Sequence, residues 1–416
     1  MKPFTELGAL VESRWRENNY DEKSFPGIAE NALSEMRLPD RVDPWEIIRW
    51  VQRAPVLPEQ MDLSAKFANP PITLYAGPRF HIDAYYWLDG TTTIHQHAFS
   101  GAFQVMHGSS VHAGYGFELQ REVNPHFLVG KILFRDVSLL QRNDIRQINP
   151  GPDSIHSLFH LERPSVTITI RTYKAPAFPR QYSYLRPHFA INSFFVDASL
   201  TRRVQTTSLL LHAKHPQADE FIRDLIEQSD FQTAFAVLRE AFDFLCHREL
   251  EEFVGATKSR DRFAALLTHA RERHGGLVDL LEPVFEEDWR QSEIIRRRAE
   301  VKNEDHRFLM ALLLNVPENT RLLELVKQRY GAGNDPVKLV MGWLREMAGT
   351  KIFGSKEPTI LGTDKLSEEH FHVLEELLRG KAVEEIQVER IQTTTVNHLI
   401  SDLKTLPMLI TLFPEA

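Results

Sequence analysis

The sequence predicts an α+β protein in which an antiparallel β-barrel is followed by a mainly α-helical region. Three observations lead to this prediction. From about residue 70, short runs rich in β-branched and aromatic residues recur about every 8–12 residues, with turn residues between them. After about residue 215, the apolar residues follow the period of an α-helix, and shorter helical patterns precede the β region.

These changes of pattern predict three parts of the 416-residue chain: a helical N-terminal segment (1–55), a β-barrel domain (56–214) and an α-helical domain (215–416). In the first part, Asp43 is the predicted N-cap of a helix and Pro44 its first residue. The runs INSFFVDASL and RVQTTSLLLHA extend the predicted β region to about residue 214.

Composition excludes several classes of protein. A single cysteine, Cys246, leaves no intrachain disulfide and no thiolate metal cluster. The net charge of −8 disfavours a broad surface for nucleic acid, and the RRR run of Arg296, Arg297 and Arg298 lies between acidic residues, which is typical of a solvated helix face. The chain contains neither a signal peptide nor an apolar run long enough to span a membrane, so we expect a cytoplasmic protein.

The segment IHQH carries the strongest functional signal. On a strand, alternate side chains share a face, so His95 and His97 would point the same way, close enough to share one metal ion. A Pro-Gly turn about 60 residues later precedes His156 and His160, either of which is a candidate third ligand, with His156 preferred. By contrast, His112 reads as a structural or exposed residue.

The spacing of these residues resembles that of the cupin family, over about residues 75–175. The matching positions are Gly90, His95, Gln96, His97, Gly108, Pro150, Gly151 and His156. Ala102 stands where most cupins have an acidic ligand, and in this respect the chain is similar to the thiol dioxygenase branch, which holds iron on three histidines. The resemblance implies a jelly-roll barrel with a non-haem Fe(II) site on His95, His97 and His156, where Zn, Ni or Mn are alternatives.

The same resemblance implies a dioxygenase that oxidises a small, anionic, amino-acid-like or thiol-like substrate with O2. The late strand reads Thr167-Ile168-Thr169-Ile170-Arg171, without the His and Tyr that the cysteine-oxidising enzymes carry there, which argues against cysteine as the substrate. We expect Arg171 to hold a substrate carboxylate through two hydrogen bonds. Tyr85 and Gln104 are further candidate catalytic residues, with packing as the alternative role for both.

Two other functions fit the sequence. The chain could be a cupin ligand sensor whose helical domain contacts a partner or DNA, or a hydrolase or isomerase that uses another metal. A loose likeness of residues 395–399 to a helix-turn-helix recognition helix supports DNA binding, but the segment lacks the Lys and Arg that phosphate contacts need. We therefore expect a small-molecule substrate and O2, no nucleic acid, no membrane, and a helical domain that caps the barrel or forms a homodimer.

Overall fold

The N-terminal part of the chain is helical, as predicted. The structure, a computed structural model, describes residues 1–63, 67–248, 256–352, 359–386 and 393–413. The first helices are α1 (Lys2–Glu17), α2 (Phe25–Met36), α3 (Leu38–Arg41) and α4 (Pro44–Arg53). The carboxylate of Asp43 accepts a hydrogen bond of 2.7 Å from the backbone N–H of Trp45, which confirms Asp43 as the N-cap of α4.

The β region forms two sheets. Its strands are β1 (Pro71–Ala76), β2 (Phe80–Trp87), β3 (His95–His97), β4 (Gly101–His107), β5 (Ser110–Asn124), β6 (Phe127–Leu140), β7 (Ile145–Ile148), β8 (Gly151–His160), β9 (Ser165–Thr172), β10 (Tyr182–Leu185) and β11 (Phe189–Asn192). One sheet has the strand order β1-β2-β9-β4-β7, and the other closes as a barrel in the order β10-β11-β6-β5-β8-β3. The predicted closed antiparallel barrel is therefore confirmed, whereas its jelly-roll connectivity stays a prediction.

The β region ends earlier than predicted. The segment from Ala198 to His212 is a helix, α5, whose N-cap Asp197 accepts a hydrogen bond of 2.7 Å from the N–H of Leu200. Thr207 and Leu211, four residues apart, are the buried positions of α5. The β-branched and Thr-rich composition of this run suggested a strand, but the N-cap and the spacing of its buried residues decide in favour of a helix.

The rest of the described chain is helical. Its helices are α6 (Ala218–Gln228), α7 (Phe231–Phe242), α8 (Ala256–His274), α9 (Leu281–Arg298), α10 (Glu304–Asn315), α11 (Asn319–Tyr330), α12 (Pro336–Gly349), α13 (Glu368–Leu378) and α14 (Thr393–Lys404). No helix in these described ranges is both long enough and apolar enough to cross a membrane.

The chain contains two compact units that do not follow its linear order. The first comprises residues 1–116, 134–179 and 291–416, and the second comprises 117–133 and 180–290. Strand β5 begins in the first unit and ends in the second, and β6 begins in the second and ends in the first. That residues 1–55, 56–214 and 215–416 each fold as a separate part stays a prediction.

In the first unit, the N-terminal helices cover the outer face of the five-stranded sheet. Phe4, Leu7 and Phe25 of α1 and α2 share a buried apolar cluster with Ile82 and Ile168 of β2 and β9. Alternate residues of a strand point to opposite faces, so the odd-numbered residues of β2 and β9 face inward. In the second unit, Phe127 and Phe189 pack with Phe231 and Phe235 of α7, with ring centroids 5.1–6.2 Å apart.

The helical half contributes a buried helix to the first unit. In α10, every residue from His306 to Asn315 is buried. The hydroxyl of Ser157, in β8, lies 3.0 Å from the side-chain oxygen of Asn315. Strand β8 therefore has helical structure on its outer side.

Candidate metal centre

Two neighbouring strands bring His95, His97 and His156 together. In the antiparallel pair of β3 and β8, His95 lies opposite His156, and an irregularity in the register then places His97 opposite Gly151. Gly151 has a φ of +73°, and a Cβ there would lie 2.3 Å from the ring of Phe178. Only glycine fits this turn without strain, which explains the Pro-Gly pair before the third histidine.

The three imidazoles have the spacing of ligands around one ion. One ring nitrogen from each lies within 4.8 Å of the other two. The Nε2 atoms of His97 and His156 are 2.9 Å apart. Nitrogens about 2.1 Å from one metal lie roughly 3.0 Å apart at an octahedral angle of 90° and roughly 3.4 Å apart in a tetrahedron. Small movements of the imidazoles would therefore complete a three-histidine site.

Burial keeps these imidazoles neutral. Burial, followed by the charges of neighbouring groups, lowers the pKa of His97 and of His156 well below the usual value, and burial lowers the pKa of His95 as well. Neutral imidazole is the form that binds a metal. Near neutral pH, no proton has to be displaced from an imidazolium before an ion binds.

Hydrogen bonds orient two of the rings. The Nδ1 of His95 lies 2.7 Å from the carbonyl oxygen of Thr93, so Nδ1–H donates and Nε2 is left as the ligand atom. The Nδ1 of His156 lies 2.9 Å from Nε2 of His112, which leaves Nε2 of His156 for the centre. Such outer partners fix the ring and its tautomer at metal sites.

His112 is the residue that the sequence interpretation missed. We expect a structural or exposed residue from the sequence, yet His112 directly contacts the third histidine. In the pairing of β5 with β8, Gly114 lies opposite His156, so His112 is two residues away on the same side of the barrel. No local pattern predicts this contact, because the register of two strands about 40 residues apart decides it.

Ala102 does not face the histidines, which corrects its expected place at the position of an acidic metal ligand. Ring centroids of Phe103 lie 6.5 Å from His156 and 6.4 Å from His112, so Phe103 faces the cluster and its neighbour Ala102 faces away. Ala102 is fully buried in the cluster of the N-terminal helices and outer sheet face. Gly101 shares the face of Phe103, but a Cβ there would lie 2.0 Å from the carbonyl oxygen of Ile170. This close approach leaves no room for an acidic ligand.

The structure does not bring Gln104 to the histidines. Like Ala102, it lies on the alternate face to Phe103, and its amide nitrogen is 3.5 Å from the carbonyl oxygen of Asn143. Its predicted catalytic role has no support in this position, which fits packing against the N-terminal helices.

Arg171 lies near the cluster, in a buried polar network. Its Cζ is 4.7 Å from the ring centroid of Phe99, which in turn is 4.5 Å from the ring of His97. Its Nε lies 2.8 Å from Nε2 of His81, and its Nη2 contacts a carboxylate oxygen of Asp62. One aromatic ring therefore separates the guanidinium from a candidate metal ligand.

The predicted site residue Tyr85 belongs to the same network. Its hydroxyl donates to Oδ2 of Asp83 at 2.9 Å, and Nε of Arg171 lies 3.4 Å from that oxygen. Burial favours the neutral form of Asp83, but hydrogen bonds and charge from His81, together with the charge of Arg171, hold its pKa below the usual value. Tyr85 thus orients the carboxylate that faces Arg171.

The alternative third ligand, His160, has another environment. Its ring stacks on Trp87 with centroids 4.5 Å apart, and its Nδ1 lies 2.8 Å from the hydroxyl of Ser110. His160 follows His156 by four residues in β8. Because four is an even number, both side chains face the barrel interior, at different levels. The three-histidine group forms with His156, as preferred.

Comparison with known proteins adds no family to this geometry. No protein-family model matches the chain, and none of the curated proteins compared with it is a detectable relative. The likeness to cupins therefore rests on the barrel and on the three close histidines.

Proposed function

We propose that the protein is a metal-dependent oxygenase of the cupin type that holds ferrous iron on His95, His97 and His156 and oxidises a small anionic molecule with O2. The observation that carries the proposal is the convergence of three neutral imidazoles inside a closed barrel. Iron supplies open coordination positions and electron transfer to O2. Zn, Ni and Mn are alternatives with the same donors, and the first two would suit hydrolysis or isomerisation.

An anionic substrate follows from the charge of this ligand set. Three neutral imidazoles do not cancel the charge of a divalent ion, and the backbone beside Gly101 leaves no room for an acidic side chain. A negatively charged substrate would supply the missing charge in an environment of low dielectric constant. The same argument favours carboxylates and thiolates over neutral substrates.

Arg171 is the residue that we propose for binding a substrate carboxylate. Its present partner Asp62 has a half-exposed side chain, whereas the side chain of Arg171 is 14 % exposed. A substrate carboxylate that took the place of Asp62 would receive the same Nη2–H bond. Asp83, held by Tyr85, keeps Nε of Arg171 in position during this exchange. Gln104 has no part in the proposed mechanism.

Phe99 and Phe103 limit the space beside the histidines. The ring of Phe99 contacts that of His97, and Phe103 lies beside His156. These apolar rings exclude water from part of the site, which strengthens the electrostatic attraction between a bound ion and an anionic substrate.

The test is metal content followed by oxygen consumption. Protein produced with supplementary iron should contain about one metal ion per chain, and His156→Ala should lose it, while His160→Gln, a change in the same strand, should keep it. Oxygen uptake with a panel of thiol and amino acids would then identify the substrate. Absence of any bound metal in the wild-type protein would refute the proposed function.

A ligand sensor is the second candidate, and one contact favours it. Strand β8 carries His156 on its inner face and Ser157, which contacts Asn315 of α10, on its outer face. Occupancy of the metal centre could therefore alter the packing of α10. Hydrogen exchange of α10 with and without metal tests this candidate, which fails if the exchange rates are the same in both states.

A further inference from the structure

Two arginines are buried on the outer side of β8, on the face opposite to the three-histidine group. Arg298 in α9 and Arg307 in α10 are 1 % and 0 % exposed. Arg298 lies over the ring of Phe159, with its Cζ 4.4 Å from the ring centroid. Phe159 is an odd number of residues from His156, so the two side chains point to opposite faces of the strand. The expected solvated face for the RRR run is therefore wrong for Arg298.

Both guanidinium groups contact the same backbone oxygen. Nη2 of Arg298 donates to the carbonyl of His160, and Nη2 of Arg307 lies 3.4 Å from that oxygen. Two like charges are thus held close together around a single neutral acceptor. This arrangement is unfavourable unless negative charge is near.

The negative charge that the described residues place around this pair is insufficient to balance it. Asp89 contacts Nη1 of Arg307 at 3.2 Å, but its other oxygen is bound to Arg163 at 2.8 Å. Within the described part of the chain, no carboxylate forms an ion pair with Arg298. A second negative group is needed to balance the local charge.

Hydrogen bonds are missing as well. Nε and Nη1 of Arg298 and Nε of Arg307 are buried and have no acceptor among the described residues, which leaves four N–H bonds unsatisfied. An unsatisfied buried donor on a charged group is costly. Burial and the neighbouring Arg307 lower the pKa of Arg298 to about 9, so Arg298 remains charged at neutral pH. The pair is deficient in both negative charge and hydrogen-bond acceptors.

We propose that a small oxyanion, with the chemistry of phosphate, sulfate or a carboxylate, binds between Arg298 and Arg307. Such a ligand supplies negative charge and several acceptor oxygens, and guanidinium groups bind oxyanions through paired hydrogen bonds. The ring of Phe159 closes one side of the site. Asp89 and Arg163, whose side chains are 32 % and 37 % exposed, mark the edge at which solvent reaches it.

This site is separate from the metal centre, so each can fail without the other. The experiment uses full-length protein from which metal has been removed with a chelator, because a bound metal would itself attract anions. Equilibrium dialysis against radioactive phosphate measures binding directly. Thermal unfolding at constant ionic strength compares phosphate, sulfate, acetate and chloride with a bulky organic anion as the reference.

The expected result is one phosphate per chain and a melting temperature that rises with phosphate concentration, as for any ligand that binds only the folded state. Arg298→Met should lose both effects. Arg290→Met is the matched control, since Arg290 is 3 % exposed but its Nε is 2.6 Å from a carboxylate oxygen of Glu287, and it should keep both.

Several results would overturn the proposal. They are the absence of phosphate binding to the wild-type protein, full phosphate stabilisation of Arg298→Met, and equal stabilisation by chloride and by every oxyanion. Dialysis of the wild-type protein requires no variant, so absence of phosphate binding refutes the proposal even if Arg298→Met does not fold.

Discussion

Replacement of His112 by alanine should weaken metal binding without removing any of the three proposed ligands. The change deletes the partner 2.9 Å from Nδ1 of His156, which fixes the ring so that Nε2 points to the centre. Loss of an outer partner of this kind lowers metal affinity about 10- to 100-fold. That factor corresponds to about 1.4–2.7 kcal/mol.

The size of the effect depends on how firmly His156 is held by other contacts. Phe103 lies 6.5 Å from its ring, and His97 lies 2.9 Å from its Nε2, so some orientation survives the change. We therefore expect His112→Ala to bind metal weakly rather than not at all. His112→Gln should recover part of the affinity, because its side-chain oxygen can accept the Nδ1–H bond.

The assay is competition between the metal-free protein and a chelator of known affinity, with Co(II) as a coloured probe. His107→Ala is the matched control, since His107 is an exposed histidine at the end of β4, in the other sheet. The absorption bands of Co(II) report ligand geometry, which a general loss of stability would not change. Wild-type affinity and unchanged bands in His112→Ala would refute the role of His112.

Three further predictions follow from other parts of the structure. His156→Ala should lose bound metal, whereas His160→Gln should retain it, as measured by metal analysis. Burial and the two nearby arginines hold the pKa of His160 well below the usual value. Below pH 6.5 the unfolded chain therefore takes up a proton at His160, whereas the folded chain does not. Acidification to pH 5.5 should thus lower the free energy of unfolding by about 1.4 kcal/mol for this group. Urea unfolding of metal-free protein should show a smaller acid effect in His160→Gln, and an equal effect would contradict the assignment. Gly101→Ala should destabilise the protein by about 1–3 kcal/mol, because the added Cβ meets the backbone of Ile170. Gly333→Ala is the control and should not destabilise the protein, because its added Cβ meets nothing within 4 Å. Equal stability of the two variants would disprove the close approach.

The sequence predicted the histidine pair because that prediction needs only local geometry. His95 and His97 share a strand, and the Pro-Gly turn marks the start of the strand that carries His156. The prediction for Ala102 was wrong because residues 98–100 lie between β3 and β4, outside both strands. Counting residues across this connection does not preserve the alternation of faces, so the spacing could not show which way Ala102 points.

Two other features depended on contacts between distant segments. His112 reaches His156 through the register of β5 with β8, which no local pattern specifies. In the RRR run, consecutive residues point about 100° apart around a helix, so the three side chains cannot share one exposed face. Arg296 is exposed, whereas Arg297 and Arg298 are buried. Acidic neighbours in the sequence suggested a solvated face, but the packing of α9 decided otherwise.

The buried helix α10 cannot change independently of the structure that surrounds it. A helix whose residues from His306 to Asn315 are all buried cannot be lost without exposing the apolar surfaces that surround it. Its Asn315 also meets the strand that carries His156. We therefore expect substitutions in α10 and in the outer face of β8 to be coupled, so that a change in one element is tolerated only with a compensating change in the other.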